Sequence, residues 1–83
     1  MDADEARTIG RRVRQIRDAR GKSLRVIAGL AGMSTTKLWR IEHGEHALDS
    51  ISEIVALAGA LQIAPGELIV GIDELVPPGA QTI

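Results

Sequence analysis

Residues 24–44, LRVIAGLAGMSTTKLWRIEHG, decide the fold. Ser23 precedes an apolar set, Leu24, Ile27, Ala28 and Ala31, spaced as one face of a helix, and Gly32 follows where a left-handed stop belongs. These marks frame a helix of about two turns. Ser34 then supplies a second N-cap, Leu38 and Ile41 continue an apolar stripe, and Gly44 supplies a second glycine stop. Only Gly32 and Met33 separate the first helix from the second cap. So short a connection makes the two axes cross steeply, and Ala28 is small enough to let the helices approach closely.

Ala28, Gly32, Met33, Ser34, Leu38 and Ile41 occupy framework positions of the lambda-repressor-like (Cro or Xre type) helix-turn-helix family, which residues 9–68 resemble. The resemblance implies an all-α fold, a compact bundle of about five short helices, with residues 35–43 as the recognition helix in the major groove of double-stranded DNA. By motif position Thr35, Thr36 and Arg40 fall where relatives contact bases, with Ser34 and Lys37 beside them. Threonine hydroxyls bond to several bases and their methyls touch thymine, whereas Arg40 is able to bind a guanine O6 and N7 bidentately. The plainer alternatives are that Thr35 and Thr36 only start a helix and that Arg40 contacts only phosphate. Trp39 stands one step off the Leu38 and Ile41 stripe, which favours contact with DNA sugar or a partner over a core role. Arg17 and Glu42 match positions that in this family form a salt bridge between helix 1 and the end of the recognition helix, with Ile16 and Ile41 as its shield.

Three departures from the family pattern matter. Leu24 stands where relatives often carry a glutamine that anchors the helix to phosphate. Glu45 and Asp49 lie in the loop after Gly44, where relatives often place basic residues. Val26 and Leu30 are apolar at positions that commonly carry charge, so either the C-terminal segment covers them or another protein does.

The chain has 83 residues, the size of one domain whose core is only marginally sufficient by itself. It has no cysteine, hence no disulfide or thiolate metal site, and with Trp39 as its one aromatic residue the core must be aliphatic. No apolar run approaches the ~18 residues of a membrane span, and the N-terminus, MDADEARTIG, is acidic rather than signal-like. A soluble cytoplasmic protein is expected. The net charge of -1 conceals an asymmetry: residues 1–40 hold 10 basic and 4 acidic side chains, a net of +6, whereas residues 41–83 hold 0 and 7, a net of -7. A basic face on a nearly neutral protein suits a nucleic-acid partner, although a solvated basic helix would read the same from charge alone.

Asp4 as N-cap and Ala6, Ile9, Val13 and Ile16 as an inward stripe predict helix 1 over residues 5–19, ended by Gly21. Its opposite face carries Arg7, Arg11, Arg14 and Arg20, which the resemblance makes candidates for phosphate contact, Arg14 foremost. Ser50 and Glu53 form a capping-box pattern ahead of a helix over 51–61, expected to bury Ile51, Ile54, Val55, Ala58 and Leu61. Gly59 weakens that helix by ~1 kcal/mol relative to alanine unless close packing requires it. Pro65 suits the first position of a short helix ending at 68 or 70, with Leu68 closing the core. Residues 1–70 thus read as the helix-turn-helix domain. Residues 71–83, with Pro77, Pro78 and Gly79, read as a C-terminal tail or as a linker to a further domain or protein partner.

No constellation points to catalysis, a metal or a cofactor. Glu42, His43, Glu45 and His46 are clustered, but Gly44 breaks the helix between the histidines, so they cannot repeat on one face. There is no glycine-rich phosphate loop and no recognisable serine–histidine–acid arrangement. Two functions remain: sequence-specific DNA binding as a transcriptional regulator, or a helix-turn-helix module acting mainly in protein–protein contact or dimerisation. Leu24 and the acidic 45–49 loop leave each copy few phosphate contacts, so a homodimer on a near-palindromic site is expected. The C-terminal apolar residues Leu68, Ile69, Ile72, Leu75 and Val76 would form its contact, in competition with their covering Val26 and Leu30.

Overall fold

Helix 1 begins two residues before the sequence suggests, because a better cap than Asp4 is available. Asp2 accepts a hydrogen bond from the Glu5 amide (2.8 Å), and the Glu5 carboxylate accepts one from the Asp2 amide (3.1 Å), a reciprocal capping box. In this computed structural model, which describes residues 1–71, the order is α1 (Ala3–Ala19), α2 (Leu24–Ala31), α3 (Thr35–Glu42), α4 (Ile51–Leu61) and α5 (Pro65–Ile69). All described regular structure is helical.

The α2–turn–α3 unit follows its punctuation. Ser23 Oγ accepts from the Val26 amide and Ser34 Oγ from the Lys37 amide, at 3.1 and 3.0 Å. Gly32 sits at φ 70°, in the left-handed region where glycine carries no Cβ penalty. Ile27, Ala28, Leu38 and Ile41 are buried and join Ile9 and Val13 of α1 with Ile54, Leu57, Ala58 and Leu61 of α4 in one aliphatic core, closed by Leu48 and Leu68. Each large apolar side chain so buried contributes roughly 1.5–3 kcal/mol.

Helix 4 has the expected bounds but not the expected start or face. Its Ser50 makes no side-chain cap; the Ser50 hydroxyl lies 2.9 Å from that of Ser52, and Glu53 turns away to Lys37 on α3. The buried stripe is Ile54, Leu57, Ala58 and Leu61, while Ile51 and Val55 are 64% and 52% exposed. An almost wholly apolar helix does not reveal which of its stripes faces inward, and here packing against α2 and α5 selects the one centred on Leu57. Gly59 has open space around it, so no close packing requires it. Helix 4 ends with Gln62 in the left-handed region at φ 62°, the one non-glycine residue so placed among those described.

Helix 5 starts with Pro65, and its Leu68 is fully buried in the core. That placement removes Leu68 from any contact surface between copies. Ile69 is partly buried against the same core, and Ile72, Leu75 and Val76 lie outside the described residues. Nor does any described residue cover Val26 and Leu30, which are 46% and 66% exposed; the C-terminal cover expected for them also lies outside the description. No helix is long and apolar enough to cross a membrane among the described residues.

Candidate nucleic-acid interface

The recognition helix is held at both ends. At its C-terminal end Arg17 grips Glu42 bidentately, Nε to Oε2 at 2.7 Å and the second guanidinium nitrogen to Oε1 at 3.0 Å. The carboxylate is 2% exposed and the guanidinium side chain 14%. Arg17 also donates to the Lys22 carbonyl (3.0 Å), fixing the α1–α2 loop to the same point. The hydrogen bonds to Glu42 are the foremost cause holding the Arg17 guanidinium above its ordinary pKa, against the opposing pull of burial. Ile41 beside the pair is buried and Ile16 packs against the core, so the shield expected from the sequence is present.

The close approach of α1 to this end depends on a residue that the sequence reading passed over. A Cβ on Gly10 would lie 2.3 Å from the Ile41 carbonyl oxygen and 2.8 Å from that of Glu42. Only glycine lets α1 run beneath the last turn of α3. The available signal was a glycine inside a strongly helical pattern. Gly44, at φ 73°, ends α3 against the Arg7 side chain.

With the core side of α3 occupied by Leu38, Ile41 and Glu42, the opposite side carries Thr36 and Arg40, one turn apart, with Thr35 and Trp39 flanking them. Ser34, Thr35, Thr36, Trp39 and Arg40 are all exposed. The Arg40 guanidinium has no hydrogen bond or ion pair to any described residue. Trp39, 43% exposed, stacks on His43 with ring centroids 3.7 Å apart and planes at 17°, and the His43 Nδ1–H donates to the Trp39 carbonyl at 2.8 Å. This stack stiffens an aromatic surface at the edge of the helix.

The basic face of α1 is less uniform than its sequence. Arg14 and Arg11 are exposed; Arg14 has only a loose 3.9 Å contact with Asp18. Arg7 is paired with Asp4. Arg20, although exposed, donates to the Leu61 and Gln62 carbonyls at 3.1 Å each, and so caps the C-terminus of α4. Arg12 donates likewise to the Leu68 carbonyl at 2.9 Å. Arg12 and Arg20 thus join Arg17 as fasteners between helices, a role that charge counting cannot separate from phosphate binding. On α3 itself Lys37 is in ion-pair contact with Glu53, whereas Thr36 and Arg40 are exposed.

Residues 8–69 match the family model of a helix-turn-helix domain. Among solved structures, the restriction-modification controller protein C.AhdI from Aeromonas hydrophila is 34% identical, with a TM-score of 0.75 over 78% of this chain and 97% of that one. An HTH_3 family transcriptional regulator from Vibrio cholerae is 27% identical at a TM-score of 0.76, over 90% of this chain but only 42% of its own. The clp gene regulator ClgR from C. glutamicum, at 21% identity and a TM-score of 0.73 over 80% of this chain and 84% of that one, shares the fold. No curated protein sequence matches. The chain belongs to the helix-turn-helix domain family, among the lambda-repressor-like, Xre-type DNA-binding transcriptional regulators, which are binding proteins and not enzymes.

Proposed function

We infer that this domain reads a specific double-stranded DNA site in the cytoplasm by laying α3 in the major groove, with Thr35, Thr36 and Arg40 toward base edges and Ser34, Trp39 and Arg14 against the sugar–phosphate backbone. The observation that carries this reading is the Arg40 guanidinium, exposed and without a partner among the described residues, on a helix that is otherwise anchored at both ends. A planar fork with five donors and no assigned acceptor suits the paired acceptors of guanine. Lys37 stands beside this surface with its ammonium on Glu53.

The domain acts as a homodimer. Its 45–49 loop carries Glu45 and Asp49 and Leu24 has no amide to offer phosphate, so a single copy has few backbone contacts and a second half-site must supply the rest. With Leu68 in the core, the exposed Ile51 and Val55 of α4 and the partly buried Ile69 are the described apolar residues left to a second copy, while Ile72, Leu75 and Val76 lie outside the described residues. The recognition helices of the pair would lie about one DNA turn, ~34 Å, apart. Selection of bound duplexes from a random pool tests the reading: a recovered site with two-fold symmetry is expected, and duplexes indistinguishable from the input pool would refute it. Titration onto full-site and half-site duplexes tests the pairing, which equal affinity for both, with one chain on each, would sink.

A second reading is favoured by Val26 and Leu30, which stand exposed on the side of α2 opposite its buried stripe. As a surface for another protein they would make the domain chiefly an interaction module. Salt separates the two, because binding by phosphate neutralisation weakens steeply with salt and apolar association does not.

A further inference from the structure

We propose that Glu53 holds Lys37 of the recognition helix off the DNA, so that this intramolecular pair sets the strength and the salt dependence of binding. The inference rests on the reading of α3 as the DNA-contacting helix. Its starting point is a carboxylate that abandons a local role. Glu53 occupies the third position of α4, where a capping box would turn it back toward Ser50; instead it reaches across to the Lys37 ammonium. Its Oε2 is buried and has no hydrogen-bond donor among the described residues, leaving the ammonium in ion-pair contact as its partner.

The arrangement matters because α3 carries only two cations, Lys37 and Arg40. Arg40 is exposed and has no partner among the described residues, whereas Lys37 reaches Glu53 of α4. For Lys37 to reach a phosphate the pair would have to break, leaving the Glu53 carboxylate charged, three-quarters buried and alone. The pair therefore persists on DNA, and the lysine contributes neither a phosphate contact nor a released counterion. Lys37 and Glu53 share the wall of an open groove of about 270 Å³, with Ala31, Gly32, Met33, Ser52 and Ala56 around them. Nothing there obstructs the lysine once Glu53 is neutral. Freed, it would strengthen binding to any sequence alike; held, it leaves discrimination to Arg40 and the two threonines.

The test compares the full chain with Glu53→Gln, Lys37→Met and the double variant, on the selected duplex and on a random duplex, across a salt series. Glu53→Gln should bind both duplexes more tightly by about three- to tenfold, with a slope of log affinity against log salt steeper by about one. The double variant, with a neutral pair, should bind within about twofold of the parent and with the parent's slope. Glu53→Gln binding like the parent would overturn the proposal. So would a double variant weaker than the parent with a slope shallower by about one, since Lys37 would then be a DNA contact already. A gain from Glu53→Gln that survives Lys37→Met would also overturn it, because the carboxylate would be acting by its own repulsion. If Glu53→Gln melts too low to assay, comparison of the double variant with the parent still decides. Arg40→Ala runs alongside: if it leaves binding to both duplexes unchanged, the DNA reading of α3 fails, whereas if it weakens binding or relaxes preference while Glu53→Gln changes nothing, only the present proposal fails.

Discussion

The two ends of α3 are both tied down, in physically opposite ways. At the C-terminal end a charge pair is withdrawn from water, Glu42 at 2% exposure within a bidentate grip, with α1 passing directly beneath because Gly10 has no side chain. At the N-terminal end the helix is held by a neutral bond from the Lys37 amide to Ser34, and the nearby ion pair between Lys37 and Glu53, at 35% and 25% side-chain exposure, borders an open groove. The difference teaches which end sets position and which remains adjustable. Removing Glu42 strands a guanidinium largely withdrawn from water, whereas neutralising Glu53 leaves the Lys37 ammonium beside an open groove into which it can move. The helix is thus fixed in angle at one end while its charge is tunable at the other.

The largest effect should follow from breaking the buried end. Glu42→Gln leaves Arg17 with its burial and without its counter-charge, and is expected to lower unfolding stability by ~3–5 kcal/mol in denaturant titration. A loss below ~1 kcal/mol would mean that the Arg17–Glu42 pair behaves as a solvent-exposed one and dissolve the contrast between the two ends. Since the Arg17 pKa is raised, a rise in pH does not remove its contribution until the ordinary arginine range is passed. Mild alkali should therefore leave the contribution of Arg17 intact.

Gly10→Ala attacks the same end through the backbone. The added Cβ meets carbonyl oxygens of α3 at 2.3 and 2.8 Å, so the helices must separate, at a cost of about 1–3 kcal/mol. Gly59→Ala is its control: the site is helical with open space around it, and alanine there should stabilise by roughly 0.5–1 kcal/mol. Thermal melts of the two variants should move in opposite directions. Movement in the same direction would mean that α1 does not depend on a bare backbone beneath α3.

The legibility of these features differs for physical reasons. The bounds of α2, and those of α3 to within one residue, were readable because serine caps and glycine stops act through the nearest few residues. The Arg17–Glu42 pair was readable only through the family resemblance, since no local rule joins residues 25 apart. Gly10, Arg12 and Arg20 escaped because each depends on a neighbour brought near by tertiary packing. The inward face of α4 escaped because ISEIVALAGAL is apolar on too many sides for periodicity to choose among them. At its start, Ser50 and Glu53 had the correct spacing for a capping box, and a lysine on another helix took the carboxylate.

Between the two anchors, Arg40 should matter to DNA and not to the fold. Arg40→Ala is expected to cost ~1–3 kcal/mol on the selected duplex and to relax preference at one or two base pairs, with unfolding stability within about 0.5 kcal/mol of the parent. Equal loss on selected and random duplexes would make Arg40 a phosphate contact. A large loss of stability would instead extend the rigid end of α3 across the surface assigned to DNA.

The smallest effects compare two serines that precede helices in the same way. Ser34 Oγ accepts the Lys37 amide at 3.0 Å, satisfying one of the donors left open at the start of α3. Ser50 has the same position before α4 but bonds to the Ser52 hydroxyl, with no side-chain cap. Ser34→Ala should therefore lower stability by ~1 kcal/mol, and Ser50→Ala by no more than ~0.3 kcal/mol, since the bond it removes is one that water replaces. Restoring the lost competitor sharpens the comparison. In a Lys37→Met background Glu53 is free to turn back toward the Ser50 amide, Ser50 can take up the Glu53 amide in return, and Ser50→Ala should then become costlier, approaching the ~1 kcal/mol of Ser34→Ala. A double-mutant cycle on Lys37 and Ser50 reads this directly as a coupling between residues that share no contact, and additivity of the two substitutions would show that the pull of Lys37 on Glu53 is not what leaves Ser50 without a cap.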